Sequence, residues 1–151
     1  MTTAILPAEG VLQNGVFYYP VRVYYEDTDA GGIVYYANYL KFAERARSEF
    51  LRALGVNQQK ILAEQQAGFV VRSCHIEYLQ SAVLDDALTV TCEVAEMGNA
   101  STIIKQQICR GDVVLAQIEV KLIFLSLSTH RPTRILPEIK EKFMAIDVGG
   151  D

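Results

Sequence analysis

The C-terminal half of the chain alternates hydrophobic and polar residues with a period of two. The alternation runs through residues 88–94, and an apolar residue occupies every second position over residues 114–124, which is typical of β-strands that bury one face. Turn-forming residues at 98–99 and 110–112 separate three such segments. Together with residues 69–79, these segments predict four consecutive long strands arranged as an antiparallel meander.

A further strand is predicted near the N-terminus, where residues 17–25 are rich in aromatic and β-branched side chains. From Asn38 the pattern becomes helical, with a broad apolar stripe at Tyr39, Ala43, Ala46, Phe50 and Leu54, widened by Leu40, Phe42 and Leu51. Asn38 is suited to cap this helix and Gly55 to end it. Short helices are predicted over residues 57–66 and 138–145. The fold class is therefore α+β, with a sheet curled around one long helix.

The chain has 151 residues, of which 50% are hydrophobic, and a formal net charge of −4. This length suits one domain, which we place at residues 17–146, after a flexible N-terminal extension (residues 1–16) and before a C-terminal tail (residues 147–151). The absence of a basic run excludes an ordinary non-specific nucleic-acid binder. No uninterrupted apolar stretch approaches the ~20 residues of a membrane span.

The expected location of the protein is the cytoplasm. Residues 1–16 have neither the basic start nor the apolar core of a secretory signal. Cys74, Cys92 and Cys109 are odd in number and far apart, so we expect reduced, mostly buried thiols. They do not form the close pairs typical of metal sites, and no metal is expected.

Residues 26–38 form the segment best suited to carry chemistry. Two carboxylates flank Thr28, two glycines follow, and a helix begins within ten residues. The free N–H groups at a helix start attract negative charge, so a carboxylate ahead of such a start is suited to acyl chemistry. The spacing alone favours an ordinary turn in which Asp29 accepts hydrogen bonds from the backbone. A metal site at Asp27 and Asp29 lacks a suitable third ligand nearby.

The segment from residue 22 to residue 40, RVYYEDTDAGGIVYYANYL, resembles the signature of the 4-hydroxybenzoyl-CoA thioesterase family. It is most similar to the branch of short acyl-CoA thioesterases associated with the Tol-Pal system, and weaker similarity continues through residues 74–78, 85–86 and 131–137. The resemblance implies the hotdog fold, in which a five-stranded antiparallel sheet wraps around one long central helix.

The same resemblance implies an acyl-CoA thioesterase that hydrolyses a short-chain aliphatic or aryl thioester to the free acid and CoA. Asp29 would be the catalytic nucleophile or general base, and the backbone N–H of Tyr36 would hold the oxyanion. The substrate-binding residues implied are Gly32, Tyr35, Asn38 and Glu44. Coenzyme A belongs to the substrate, so no separate cofactor is expected. The implied partners are an acyl carrier protein and further copies of the chain, in a homodimer or homotetramer with active sites at the subunit interface.

Two alternatives of another class stay open. One is a non-enzymatic protein that binds acyl-CoA or an acyl carrier protein, or an accessory of the Tol-Pal complex. The other is a hotdog hydratase or dehydratase, although those enzymes usually pair an acidic residue with a histidine and the predicted central helix has none. The CoA phosphates also need cations, for which Lys105, Arg131 and Arg134 are the candidates.

Overall fold

The structure is a computed structural model that describes residues 3–149. Its regular elements are β1 (Val11–Gln13), β2 (Val16–Arg22), a 3₁₀ turn (Tyr25–Asp27), α1 (Asn38–Ala53), α2 (Gln58–Gln65), β3 (Ala67–Tyr78), β4 (Ala87–Met97), β5 (Ser101–Arg110), β6 (Val113–Ser126), β7 (Arg131–Pro132) and α3 (Pro137–Gly149). No helix within residues 3–149 is long and apolar enough to cross a membrane.

The strands form one antiparallel sheet in the order β1-β2-β4-β5-β6-β3, with the short β7 paired to β6. The predicted α+β class and the sheet wrapped around a long helix are confirmed. The five predicted strands are all present, and β1 and β7 add two short ones.

The predicted four-strand meander is wrong in one respect. β4, β5 and β6 are consecutive neighbours, but β3 pairs with β6 at the far edge of the sheet and not with β4. The connection between β3 and β4 passes the start of α1, where the N–H of Ala82 donates to the Tyr39 hydroxyl and the N–H of Val34 donates to the Ala82 carbonyl. These bonds hold the connection against α1 and separate β3 from β4 by two strands.

Helix α1 lies in the concavity of the sheet and supplies much of the core. Its buried apolar face consists of Tyr39, Phe42, Ala43, Ala46, Phe50 and Leu51. The Phe50 ring lies 5.6 Å from that of Phe17 on β2 and 5.9 Å from that of Phe143 on α3, so α1 is packed between the sheet and the last helix. Leu40, predicted in the apolar stripe, is 39% exposed, because it lies on the side of α1 that neither the sheet nor α3 covers.

Of the two residues predicted to bound α1, Gly55 is confirmed and Asn38 is wrong. Gly55 follows the helix in the left-handed region with φ +81°, as expected for a helix terminator. Asn38 is not the N-cap: Ala37 takes that position, and the Asn38 side chain donates to the carbonyl of Asp27 at 2.9 Å. The loop before the helix folds back and brings the Asp27 carbonyl next to the Asn38 side chain. If Asn38 capped the helix instead, this carbonyl would lose the hydrogen bond from the Asn38 amide.

The segment predicted as an extension, residues 1–16, contributes β1, whose residues 11–13 pair with the start of β2. Helix α3 runs to Gly149, beyond the predicted end at residue 145 and into the segment interpreted as a tail. The remaining tail residues, 150 and 151, and the first two residues lie outside the described range.

Candidate active site

Asp27 organises the loop between β2 and α1. Its Oδ2 accepts a hydrogen bond from the N–H of Tyr24 at 2.8 Å. Its carbonyl accepts from the N–H of Tyr35 at 3.0 Å as well as from the Asn38 amide. All of these bonds close the loop on itself, so Asp27 has a structural role and is not the carboxylate that faces a substrate.

Asp29 lies in a tight turn two residues further on. Its N–H donates to the carbonyl of Ile33 at 2.8 Å, and its own carbonyl accepts from the N–H of Gly32 at 3.1 Å. Gly32 has φ +84°, a left-handed conformation that favours glycine at this position. The turn therefore explains why a glycine occupies position 32.

The Asp29 carboxylate has one fixed oxygen and one open oxygen. Oδ1 accepts a hydrogen bond from the N–H of Gly31 at 2.8 Å, which sets the orientation of the group. Oδ2 has no hydrogen-bond partner among residues 3–149, and the side chain is exposed. The turn interpretation and the chemical interpretation of this segment are therefore compatible, because one oxygen serves the turn and the other remains free to react.

Two backbone donors are open at the start of α1. The carbonyl of Tyr35 accepts from the N–H of Asn38 at 2.8 Å, and the carbonyl of Tyr36 accepts from the Tyr78 hydroxyl at 2.9 Å. The N–H groups of Tyr36 and Ala37, in contrast, have no acceptor within the described part of the chain. They lie at the positive end of the helix dipole, where an oxyanion is stabilised.

Asp29 and Tyr36 line one pocket of about 330 Å³, and Ala37 follows Tyr36 directly in the chain. Its lining consists of Asp29, Ile33, Val34, Tyr35, Tyr36, Tyr39, Tyr78, Leu79, Gln80 and Ser81. Tyrosines form one wall: the Tyr36 ring lies 4.9 Å from that of Tyr35 and 6.2 Å from that of Tyr78, centroid to centroid. A hydrogen bond with Tyr36 raises the pKa of Tyr35, and burial raises the pKa of Tyr78, so both phenols stay neutral at neutral pH.

Three of the predicted site residues contribute differently from Asp29, Tyr35 and Tyr36. Gly32 shapes the turn and Asn38 holds the loop, and neither lines the pocket. Glu44 is exposed on α1, two turns beyond the helix start, and is not part of the lining.

Sequence reasoning missed Tyr78, together with Tyr39 and the segment 79–81, as part of the pocket. The sequence offered only a weak indication. Tyr78 is next to last in the predicted strand 69–79, and the period of two places it on the same face of that strand as Ile76.

The three candidate cations for CoA phosphates lie away from the pocket of the same chain. Lys105 is exposed on β5 and pairs across the sheet with Glu93 and Glu119. Arg131 belongs to β7, next to Ser126 at the end of β6, whereas Tyr78 pairs with Ala116 ten positions earlier, a separation of about 30 Å. Arg134 follows β7. Across residues 3–149, no group of three or more His, Cys, Asp or Glu side chains could hold a metal ion.

Comparisons with known proteins agree with this geometry. The thioesterase-like superfamily matches residues 23–143. Acyl-CoA thioesterase YbgC of Haemophilus influenzae is 47% identical over 133 residues, which cover 88% of this chain and 97% of that protein. The crystal structure of a probable thioesterase from Bartonella henselae has 32% identity and a TM-score of 0.76, covering 80% of this chain and 98% of that one.

The protein SAV2348 from Staphylococcus aureus, solved in complex with CoA, matches with a TM-score of 0.84 over 99% of this chain and 90% of its own. Its identity is 16%, so it bears on the fold alone, and the hotdog fold expected from the motif is confirmed. The family match and the similarity to the Haemophilus influenzae protein show that the chain belongs to the thioesterase-like superfamily.

Proposed function

We propose that this protein is an acyl-CoA thioesterase that releases the free acid and CoA. The observation that carries the proposal is the pocket lined by both Asp29, which has an open carboxylate oxygen, and Tyr36, whose N–H has no acceptor among the described residues. The N–H of the next residue, Ala37, is open as well. Thioester hydrolysis needs these two elements, a group that attacks or activates water and donors for the oxyanion. The Haemophilus influenzae relative is named for the same activity.

The chemistry follows from the two sets of atoms. With the thioester oxygen at the Tyr36 and Ala37 amides, the developing negative charge is stabilised, and one such donor contributes about 3–4 kcal/mol to the transition state. Asp29 Oδ2 then either attacks the carbonyl carbon and expels CoA as a thiolate, leaving a mixed anhydride for water to cleave, or removes a proton from an attacking water. Both routes consume one water and yield one acid and one CoA thiol.

The direct test is the release of free CoA from a panel of aliphatic and aryl acyl-CoA thioesters, followed with a thiol reagent. Asp29→Asn should reduce turnover on the order of 10³-fold or more, because it removes the reacting oxygen and keeps the shape of the side chain. Glu26→Gln is the matched control, since it removes a negative charge from the same loop at an exposed position.

Wild-type turnover by Asp29→Asn would exclude Asp29 as the reacting group. Binding of acyl-CoA with no thiol release by the wild type would instead identify a binding protein. Consumption of an enoyl-CoA without thiol release would identify a hydratase. An acyl carrier protein thioester, assayed in the same way, tests the second class of substrate.

The proposal includes a homodimer joined along β3. This strand has twelve residues and ends the sheet, so its outer edge offers a row of unpaired backbone groups. Apolar side chains beside that edge are exposed, among them Leu40, Val71, Tyr78 and Leu79. An antiparallel pairing with β3 of a second copy satisfies the backbone groups and covers these side chains.

Such a pairing also supplies the missing cations. In antiparallel strands related by a twofold axis, the start of one β3 lies beside the end of the other. β7 is level with the start of β3 on the other side of β6, because Ala67 and Arg131 pair with Ser126 from opposite sides. The partner subunit's Arg131 and the partner subunit's Arg134 would therefore lie at the same end of the joined sheet as the pocket, about three strand spacings from Tyr78, on the side where the phosphates of CoA require positive charge.

Size-exclusion chromatography with mass measurement should give twice the chain mass. The double variant Arg131→Gln, Arg134→Gln should raise KM for acyl-CoA about tenfold, the equivalent of one lost charge-assisted contact, and leave KM unchanged for the same acyl group on pantetheine. Lys105→Gln, on the outward face of β5, is the control. A monomeric protein, or an equal rise in KM with the pantetheine thioester, would contradict this assignment.

We also propose that the protein works in the cytoplasm. All three cysteines are free thiols in the structure, and Cys92 is completely buried, as expected in a reducing compartment. A tagged chain recovered in the soluble cytoplasmic fraction supports this location, and recovery from an oxidising compartment contradicts it.

A further inference from the structure

The carbonyl of Tyr36 has an unusual partner for its position. Tyr36 lies one residue before the N-cap Ala37, so its carbonyl is outside the hydrogen-bond ladder of α1. Here the N–H of Leu40 donates to the carbonyl of Ala37 at 3.2 Å, and the Tyr36 carbonyl accepts from the Tyr78 hydroxyl at 2.9 Å. Within residues 3–149 this hydroxyl is its sole hydrogen-bond donor. A side chain 42 residues away thus satisfies a carbonyl that the helix itself leaves without a donor.

Contacts outside the catalytic loop fix the position of the Tyr78 side chain. The backbone of Tyr78 pairs with Ala116 of β6, so its Cα is fixed by the sheet and not by the catalytic loop. Its ring meets that of Tyr39 edge-on at 5.4 Å and that of Tyr36 at 6.2 Å. Tyr39 is itself anchored by the N–H of Ala82 at 2.9 Å. The phenol therefore reaches the Tyr36 carbonyl from a rigid support.

The peptide unit that receives this bond also carries one of the two open donors. The carbonyl of Tyr36 and the N–H of Ala37 belong to the same planar group, so a bond that fixes the carbonyl fixes the direction of the N–H. A hydrogen bond accepted at the carbonyl also polarises the peptide and strengthens its N–H as a donor. The preceding peptide is fixed in the same way, because the Tyr35 carbonyl accepts from the N–H of Asn38.

We propose that Tyr78 is a positioning residue that holds the Tyr36–Ala37 peptide in the orientation needed to bind the oxyanion. The inference rests on the proposed thioesterase function and adds to it a residue from β3. Tyr78 acts through the backbone, and its effect belongs to the transition state, since the thioester oxygen carries negative charge only there.

The test is Tyr78→Phe, which removes the hydroxyl and keeps both ring contacts. We expect kcat to fall about tenfold, a part of the 10²–10³-fold cost of removing an oxyanion donor altogether. KM should stay within about twofold of the wild-type value, as should the Kd of an acyl-CoA thioether analogue, which has no carbonyl oxygen to activate. Tyr18→Phe on β2 is the matched control, because Tyr18 is exposed to a similar extent (39% against 43%) and its hydroxyl has no partner among the described residues.

Each outcome decides the matter. A purely structural role of Tyr78 predicts a lower thermal midpoint and a smaller active fraction with an unchanged kcat per active site, which overturns the proposal. Equal losses in Tyr78→Phe and Tyr18→Phe overturn it too. An active wild type with an equally active Tyr78→Phe refutes the positioning role and leaves the thioesterase function intact. A wild type that releases no thiol from any thioester removes the proposed function and this inference together.

Discussion

A buried hydrogen-bond network joins α1 to the sheet through Gln106 of β5. The side chain of Gln106 is 2% exposed. Its Nε2 donates to the carbonyl of Ala43 at 3.0 Å and to Cys92 Sγ at 3.2 Å, and its Oε1 accepts from Arg47 Nη1 at 2.9 Å. Burial lowers the pKa of the Arg47 guanidinium. Gln106 is the acceptor on which this partly desolvated cation depends, since no other is within reach among residues 3–149.

Replacing either partner alone should be costly. Gln106→Leu keeps an apolar side chain of similar length and leaves Arg47 without its acceptor, for which we expect a loss of about 2–4 kcal/mol in the free energy of unfolding. Arg47→Met leaves Gln106 Oε1 without its donor and should cost about 1–3 kcal/mol. In the double variant neither polar group remains, so its loss should be smaller than the sum of the single losses by about 1–2 kcal/mol.

Urea unfolding at one fixed protein concentration measures these differences, because the stability of an oligomer depends on concentration. Gln107→Leu, at the exposed neighbouring position on the other face of β5, is the control and should change stability by no more than about 0.5 kcal/mol. Strict additivity of the two single variants would refute the reasoning, since it would mean that the Arg47 charge does not depend on Gln106.

Three further predictions concern the core, the thiols and the acid limit of stability. Phe50→Ala should lower the free energy of unfolding by about 3–5 kcal/mol in urea titrations, because Phe50 is 1% exposed and packed between two aromatic rings. Burial raises the pKa of Cys92 to about 12, so a thiol reagent should label the exposed Cys74 in the folded protein and reach Cys92 only after denaturation. Hydrogen bonds from the N–H of Val83 and from Arg110 hold the pKa of Asp86 below its usual value. The resulting stability is present above a pH of about 4 and is lost as the pH falls through the lower native pKa, and Asp86→Asn should flatten that part of the pH–stability curve.

The elements of the fold were predictable because their signals are local. The period of two in residues 114–124 and the helical spacing from Tyr39 to Phe50 each come from one continuous segment, and both elements are present. Strand pairing is not local. A hairpin between β3 and β4 is the simplest expectation for consecutive strands, and only the contacts of the connection with Tyr39 and Val34 show why β3 lies with β6.

The site residues also differ in whether the signal that predicts them is local or non-local. Asp29, Tyr35 and Tyr36 fall within eight residues, so a motif of short range identified them and the structure brings them into one pocket. Tyr78 lies 42 residues from its partner, and its hydrogen bond to a backbone carbonyl leaves no trace in sequence spacing. Even within the motif, the role of Asn38 was not predictable. Its side chain bonds to the carbonyl of Asp27, which the folded loop brings close, and does not cap the helix.

Part of the hydrophobic half of the composition lies outside the core, as exposed side chains. The outward face of the sheet is polar, with His75, Glu77, Lys105 and Glu119 around a shallow depression. Among the exposed apolar and aromatic side chains, Val71, Tyr78 and Leu79 lie on β3 or directly after it, and Tyr78 and Leu79 also line the pocket. In the proposed dimer, the second copy would also close one side of the pocket and exclude water from it, which would strengthen the electrostatic contacts to the oxyanion. Activity per chain should consequently fall when the protein is diluted below the Kd of its dimer, while a constant specific activity across that range would show that one copy forms the complete site.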